Sequence, residues 1–165
     1  MLYREILSEL EKKGVRYLVI GGIAVNLYGH PRVTKDLDIM VSFEAKNMER
    51  FLEVIKLFKL KPRVPVEIEE LAEKSKRDFW KQEKNMKVFS FYNPENDLEI
   101  IDVMIQDYID FDEAYKKKEN VTDGKLSVTM VSIDDLIKLK EIANRPNDKN
   151  DIEVLKKLKE LRSER

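Results

Sequence analysis

The chain has no cysteine, a single histidine, one tryptophan, five glycines and five prolines in 165 residues. Without cysteine there is neither a disulfide framework nor a thiolate zinc site. An excess of charge of either sign is also missing. Lys and Arg number 31 against 32 Asp and Glu, a net charge of -1, which argues against general electrostatic binding of nucleic acid and leaves room only for a local basic patch. No long apolar run and no signal-peptide pattern occur, so an intracellular, cytoplasmic protein with no membrane partner is expected. Repeats, low-complexity tracts and linkers long enough to split a domain are absent too. What remains is 42% hydrophobic and 38% charged, enough to bury one sizeable core, so one domain is expected. The Lys- and Glu-rich makeup leans toward a thermophile.

Two aspartates one residue apart, Asp36 and Asp38, stand in the apolar run Leu37-Ile39-Met40-Val41. In a strand, residues i and i+2 share a face, so both carboxylates aim at one point while Leu37, Ile39 and Val41 pack behind them. Like charges so close repel unless a cation lies between them, and hard oxygen ligands suit Mg²⁺. Upstream, Gly21-Gly22 closes the apolar segment 15–20 and opens the helix-like stretch 23–29, placing bare backbone where a phosphate can approach.

The remaining pattern is α/β. Leu2, Ile6, Leu7 and Leu10 fall at helical spacing, and Gly14 ends that helix. Strand 15–20, helix 23–29 and strand 36–42 follow. Phe43 to Phe58 reads as an amphipathic helix, Pro62 and Pro65 punctuate a connection, and a charged helix is expected from about Glu67 to Gln82. Met86 to Tyr92 and Leu98 to Ile105 read as a hairpin turning at 93–97, and a second hairpin turns at Asp123-Gly124. Two helices close the chain, one capped by Ser132 and one from about Asn147 to Leu161.

A two-metal phosphoryl-transfer site needs a third carboxylate, and Asp102 in Ile100-Ile101-Asp102-Val103-Met104 has the same apolar flanks as the pair. Asp97, in the turn, and Glu99, on the opposite face of a regular strand, are its rivals. In the helix 134–143, Lys140 points with Leu136 and Ala143. It either meets a triphosphate or pairs with Asp148 or Asp151, and Arg145 could take its place. Arg32 and Thr34 could reach phosphate oxygens; equally, Arg32 could pair with an acid and Thr34 could merely begin the strand. His30, between Gly29 and Pro31, reads as a turn residue. The Lys-rich stretch 67–87 reads as a solvated helix face with Phe79 and Trp80 anchored on the core, and otherwise as a basic surface for RNA.

These residues resemble the nucleotidyltransferase fold of the DNA polymerase β-like superfamily, in particular its small single-domain toxin-type and aminoglycoside-type members. The resemblance rests on Gly21-Gly22, Asp36-Leu37-Asp38 and Ile101-Asp102-Val103, and on the stretch from Leu136 to Leu155; residues 43–95 match nothing in the family pattern. It implies a mixed β-sheet with helices packed mainly on one face and the active site on the other. One domain would span 1–165, with a core of about 1–131 and C-terminal helices of about 132–163. Asp36, Asp38 and Asp102 would ligate metal and act in catalysis. Gly21, Gly22, Arg32, Thr34 and Lys140 would bind the phosphates of an NTP such as ATP. Two Mg²⁺ ions, or Mn²⁺, would serve the transfer of an NMP to an acceptor hydroxyl on RNA, protein or a small molecule. The alternative is a catalytically silent nucleotide- or metal-binding regulatory module of the same fold; an oligomer is compatible with either.

Overall fold

The computed structural model describes residues 2–164, with Leu2 and Asp123 described through their backbone alone. Helix α1 (Leu2–Lys12) buries Ile6, Leu7 and Leu10. Gly14 ends it at φ +64, and the amides of Val15 and Gly14 turn back to the carbonyls of Leu10 (2.9 Å) and Glu11 (3.0 Å). That closure needs a left-handed residue, which glycine adopts without a steric penalty. Strand β1 (Tyr17–Val19), helix α2 (Gly21–Leu27) and strand β2 (Leu37–Val41) follow. The strand expected over 36–42 thus begins one residue later, and Asp36 lies outside it.

Helix α3 (Ala45–Leu57) buries Met48, Phe51, Leu52 and Ile55 as the periodicity requires. A two-residue strand, β3 (Lys61–Pro62), occupies the expected connection; it sits at the sheet edge, where proline's missing N–H is tolerated. The charged helix expected over 67–82 is two pieces. A 3-10 turn (Ile68–Ala72) ends at the extended Glu73, and α4 runs from Lys74 to Glu83. Leu71 and Trp80 are nine residues apart and would face opposite sides of one continuous helix; the break lets both enter the core. The carbonyl of Leu71 at the break accepts from Arg77 Nη1 at 2.8 Å. Phe79 remains 49% exposed, so of the two aromatics Trp80 alone is anchored on the core.

The first hairpin is β4 (Val88–Asn93) with β5 (Asn96–Met104). A short helix the pattern did not announce, α5 (Phe111–Lys116), is capped by Asp110, whose carboxylate accepts from the Glu113 amide at 2.8 Å. The second hairpin is β6 (Glu119–Asp123) with β7 (Leu126–Met130), and helices α6 (Ile133–Ala143) and α7 (Pro146–Ser163) close the chain. Ser132 caps α6 by accepting from the Asp135 amide at 3.2 Å.

The seven strands form one mixed sheet in the order β3-β4-β5-β2-β1-β7-β6. β2 runs parallel to β5 and antiparallel to β1, while β1 runs parallel to β7. Alternation along β4 separates the two faces. Phe89 and Phe91 pack with Trp80 and Phe51 at ring separations of 5.1 to 6.2 Å, while Ser90 between them turns to the other face and meets Asp102. Helices α1, α3 and α4 cover the aromatic face; α6 reaches across the acidic face and bounds a cavity there. No helix among the described residues is long and apolar enough to cross a membrane.

Candidate active site

Parallel pairing of β2 with β5 sets Asp38 directly opposite Asp102. Leu37, Ile39, Ile101 and Val103 are fully buried on the other face, so neither strand can slip by one residue without exposing them. Register therefore fixes the two carboxylates side by side. Asp38 is pushed up to about 7, first by burial and then by the charge of Asp102; Asp36 adds to the effect, and Arg145 and Lys140 oppose it. Burial and Asp36 also raise Asp102, against the pull of a hydrogen bond from Ser90 Oγ (2.5 Å) and of Arg63.

The pair opens into a cavity of about 310 Å³. Gly21 and Ile20 form one wall, Lys140, Arg145 and the apolar side of α6 another, and Lys87, Val88, Met104 and Tyr108 the rest. Gly21 has φ +65, and a Cβ there would overlap the Asp38 carboxylate, 2.8 Å from its Cγ. The glycine is required both by its backbone angle and by the acid beside it. Gly22 answers to a different neighbour. A Cβ on it would stand 2.6 Å from Thr34 Oγ1 and 2.9 Å from Arg32 Nη2, so its bareness lets the 32–34 segment pack against α2.

Lys140 is 2% exposed, with Nζ 3.0 Å from Asp148 Oδ1 and 2.8 Å from Asp151 Oδ2. It thus pairs with both aspartates named as alternatives while also lining the cavity. Arg32 Nη2 lies 3.2 Å from Asp151 Oδ2, and Arg145 Nε 3.2 Å from Asp148 Oδ2. Glu99 accepts from Asn93 Nδ2 at 2.7 Å, away from Asp102, as its place in the strand requires. The basic stretch is largely answered by its own acids: Lys74 and Lys81 pair with Asp78, Lys76 with Glu70, and Arg77 lies 4.0 Å over the Phe43 ring.

Among the described residues, no group of three or more His, Cys, Asp or Glu side chains stands ready to hold a metal ion. Asp36 precedes β2 and has no rung of the ladder, though its charge acts on both Asp38 and Asp102. The preformed part of the site is the pair Asp38 and Asp102. Ser90 and Lys87 are among the contributors that escaped the sequence reading. Ser90 had a legible signal, a lone hydroxyl between two strand phenylalanines; Lys87, at the mouth of the cavity, had none.

No protein-family model matches the chain, and neither does any curated protein sequence. Solved structures do match. The lincosamide antibiotic adenylyltransferase LnuA, lincomycin-bound, aligns over 95% of this chain and 95% of its own with a TM-score of 0.61 at 15% identity. ANT(2")-Ia in complex with adenylyl-2"-tobramycin aligns over 98% of this chain and 93% of its own, with a TM-score of 0.61 at 13% identity. An antigenic nucleotidyltransferase-like protein from Paracoccidioides brasiliensis gives 0.58 at 14% identity, over 93% of this chain and 73% of its own. The backbone path that sets Asp38 beside Asp102 is thus that of the nucleotidyltransferase fold.

Proposed function

We propose that the chain is a nucleotidyltransferase that moves an NMP from an NTP to an acceptor hydroxyl. The observation that carries this reading is the facing register of Asp38 and Asp102 on the floor of a cavity that also holds Gly21, Lys140 and Arg145. The donor set fits hard divalent cations: every candidate ligand is a carboxylate, and two of them are raised by burial and by nearby carboxylate charge, which a cation would relieve. Asp36, Asp38 and Asp102 are the residues that would hold two Mg²⁺, with Mn²⁺ a substitute. Bound there, the ions would neutralise the triphosphate and polarise its α-phosphoryl group.

The chain's own groups account for the rest. Gly21 lets the Asp38 carboxylate lie against the backbone at the cavity wall, and Lys140 and Arg145 place positive charge on another wall, where they would meet the phosphates. Arg32 and Thr34 shape the segment behind Gly22. Asp102, raised yet hydrogen-bonded to Ser90, is suited to receive the proton of the acceptor hydroxyl as that oxygen attacks phosphorus and pyrophosphate departs. Small-molecule acceptors are suggested by the neighbours whose structures contain lincomycin and adenylyl-2"-tobramycin; RNA and protein hydroxyls remain in the test.

The experiment is incubation with each labelled NTP and Mg²⁺, followed by mass analysis of the protein, of added RNA and of a panel of hydroxylated small molecules. Label on one acceptor class, lost in Asp38→Asn, supports transfer. A second reading, a silent nucleotide-binding module, draws on the two aspartates that already answer Lys140. It becomes the better one if NTP binds and no label moves.

A further inference from the structure

Because Asp36 precedes β2, the strand that fixes Asp38 does not fix it. The last rung between β2 and β5 joins Leu37 to Ile101. Beyond that rung the two chains are bridged by a side chain from the far end of the sequence, Tyr3 of α1. Its hydroxyl lies 2.6 Å from the Lys35 carbonyl and 3.0 Å from the Ile100 carbonyl, and it accepts from the Ile100 amide at 3.1 Å. One O–H proton serves one carbonyl at a time, and the shorter contact is to Lys35. The hydroxyl stands where the next rung of the ladder would be.

We propose that Tyr3 is a positioning residue of the acid site, its hydroxyl holding the Lys35-Asp36 segment against β5 and so holding Asp36 beside Asp102. The inference rests on the transfer reading above and gives it the element the sheet does not supply. Burial first, then the nearby charges of Asp36, Glu99 and Asp102, keep the phenol above its ordinary range, so it stays a neutral donor while the acids titrate. Tyr3 adds no charge to the cavity. Its effect passes through Asp36, which separates it from a residue that touches nucleotide.

Tyr3→Phe keeps the ring in place and removes the bridge. In the full chain the Ile100 amide should then exchange with solvent faster than in the wild type. The Mg²⁺ concentration giving half of the ATP-dependent rise in melting temperature should increase about three- to tenfold, the worth of one hydrogen bond. Asp36→Asn should raise the same midpoint, and Tyr3→Phe should add nothing in that background. An unchanged Mg²⁺ midpoint, or effects of the two substitutions that simply add, overturns the positioning role. So does unchanged exchange at Ile100, which needs no ligand to observe. A wild-type protein whose melting ignores Mg²⁺ and ATP together overturns the transfer reading, and the metal role of Tyr3 with it.

Discussion

Two charge clusters meet at the cavity and are built on opposite terms. Lys140, Arg32 and Arg145 each find a carboxylate of α7, and Asp151 and Asp148 are 1% and 2% exposed. Burial pushes Asp148 up, but the Arg145 amide and Lys140 pull harder and leave it below the ordinary carboxylate range. Among the described residues neither Asp38 nor Asp102 makes an ion pair; they face each other across the ladder, and Asp38 is carried to about 7 despite the pull of Arg145 and Lys140. The first cluster is closed within the protein and ties α6, α7 and the 32–34 segment together. In the second, charge is left open, and a ligand must close it. Fold and site are separated here by whether charge is answered from within.

Breaking the closed cluster should have the largest effect. Asp151→Ala leaves Lys140 short of one carboxylate and Arg32 without its partner, and should cost about 3–5 kcal/mol in denaturant unfolding. A loss below about 1 kcal/mol would show that the cluster is not a structural unit. Disarming the open cluster should do the reverse. The folded value of Asp38 lies above its unfolded value, so the folded state binds the extra proton and metal-free stability falls as pH rises from about 4 to about 7. Asp38→Asn removes that penalty, and should stabilise the metal-free protein at pH 8 by up to about 4 kcal/mol, with the gain shrinking as pH drops toward 5. Equal stability at both pH values would mean Asp38 is not strained. Smallest of the three, Ser90→Ala removes one hydrogen bond and should cost about 1 kcal/mol. It should also move the titration of Asp102, followed by carboxyl NMR, to higher pH.

The strands of the site were legible because their chemistry is local. Apolar residues at period two around Asp38 and Asp102 give the strands, and a glycine pair after an apolar run gives the turn. The parallel register that faces Asp38 with Asp102 joins segments more than sixty residues apart, and one sequence does not carry it. Asp36 failed as a strand residue for a related reason, since the ladder ends at Leu37 and Ile101 and the Ile100 amide and carbonyl of β5 turn to the Tyr3 hydroxyl instead. The break at Glu73 was hidden because helix periodicity alone does not show that Leu71 and Trp80 must both be buried. Lys140 was legible as an inward cation, yet its sharing between two aspartates needed the packing of α6 on α7. At Gly22 the packing of Thr34 and Arg32 into the space left by the missing side chain was not legible, because it depends on how the 32–34 segment returns to α2.

The open cluster is tested most directly by what closes it. A ligand that binds only the folded state adds RT ln(1 + [L]/Kd), so an NTP at ~100 times its Kd with Mg²⁺ should add about 2.7 kcal/mol. The measurement is thermal unfolding of wild type and Asp38→Asn with Mg²⁺ alone, NTP alone and both. The gain should require both together in the wild type and be largely lost in Asp38→Asn. A gain from Mg²⁺ alone that no NTP changes, or one that survives in Asp38→Asn, would contradict this.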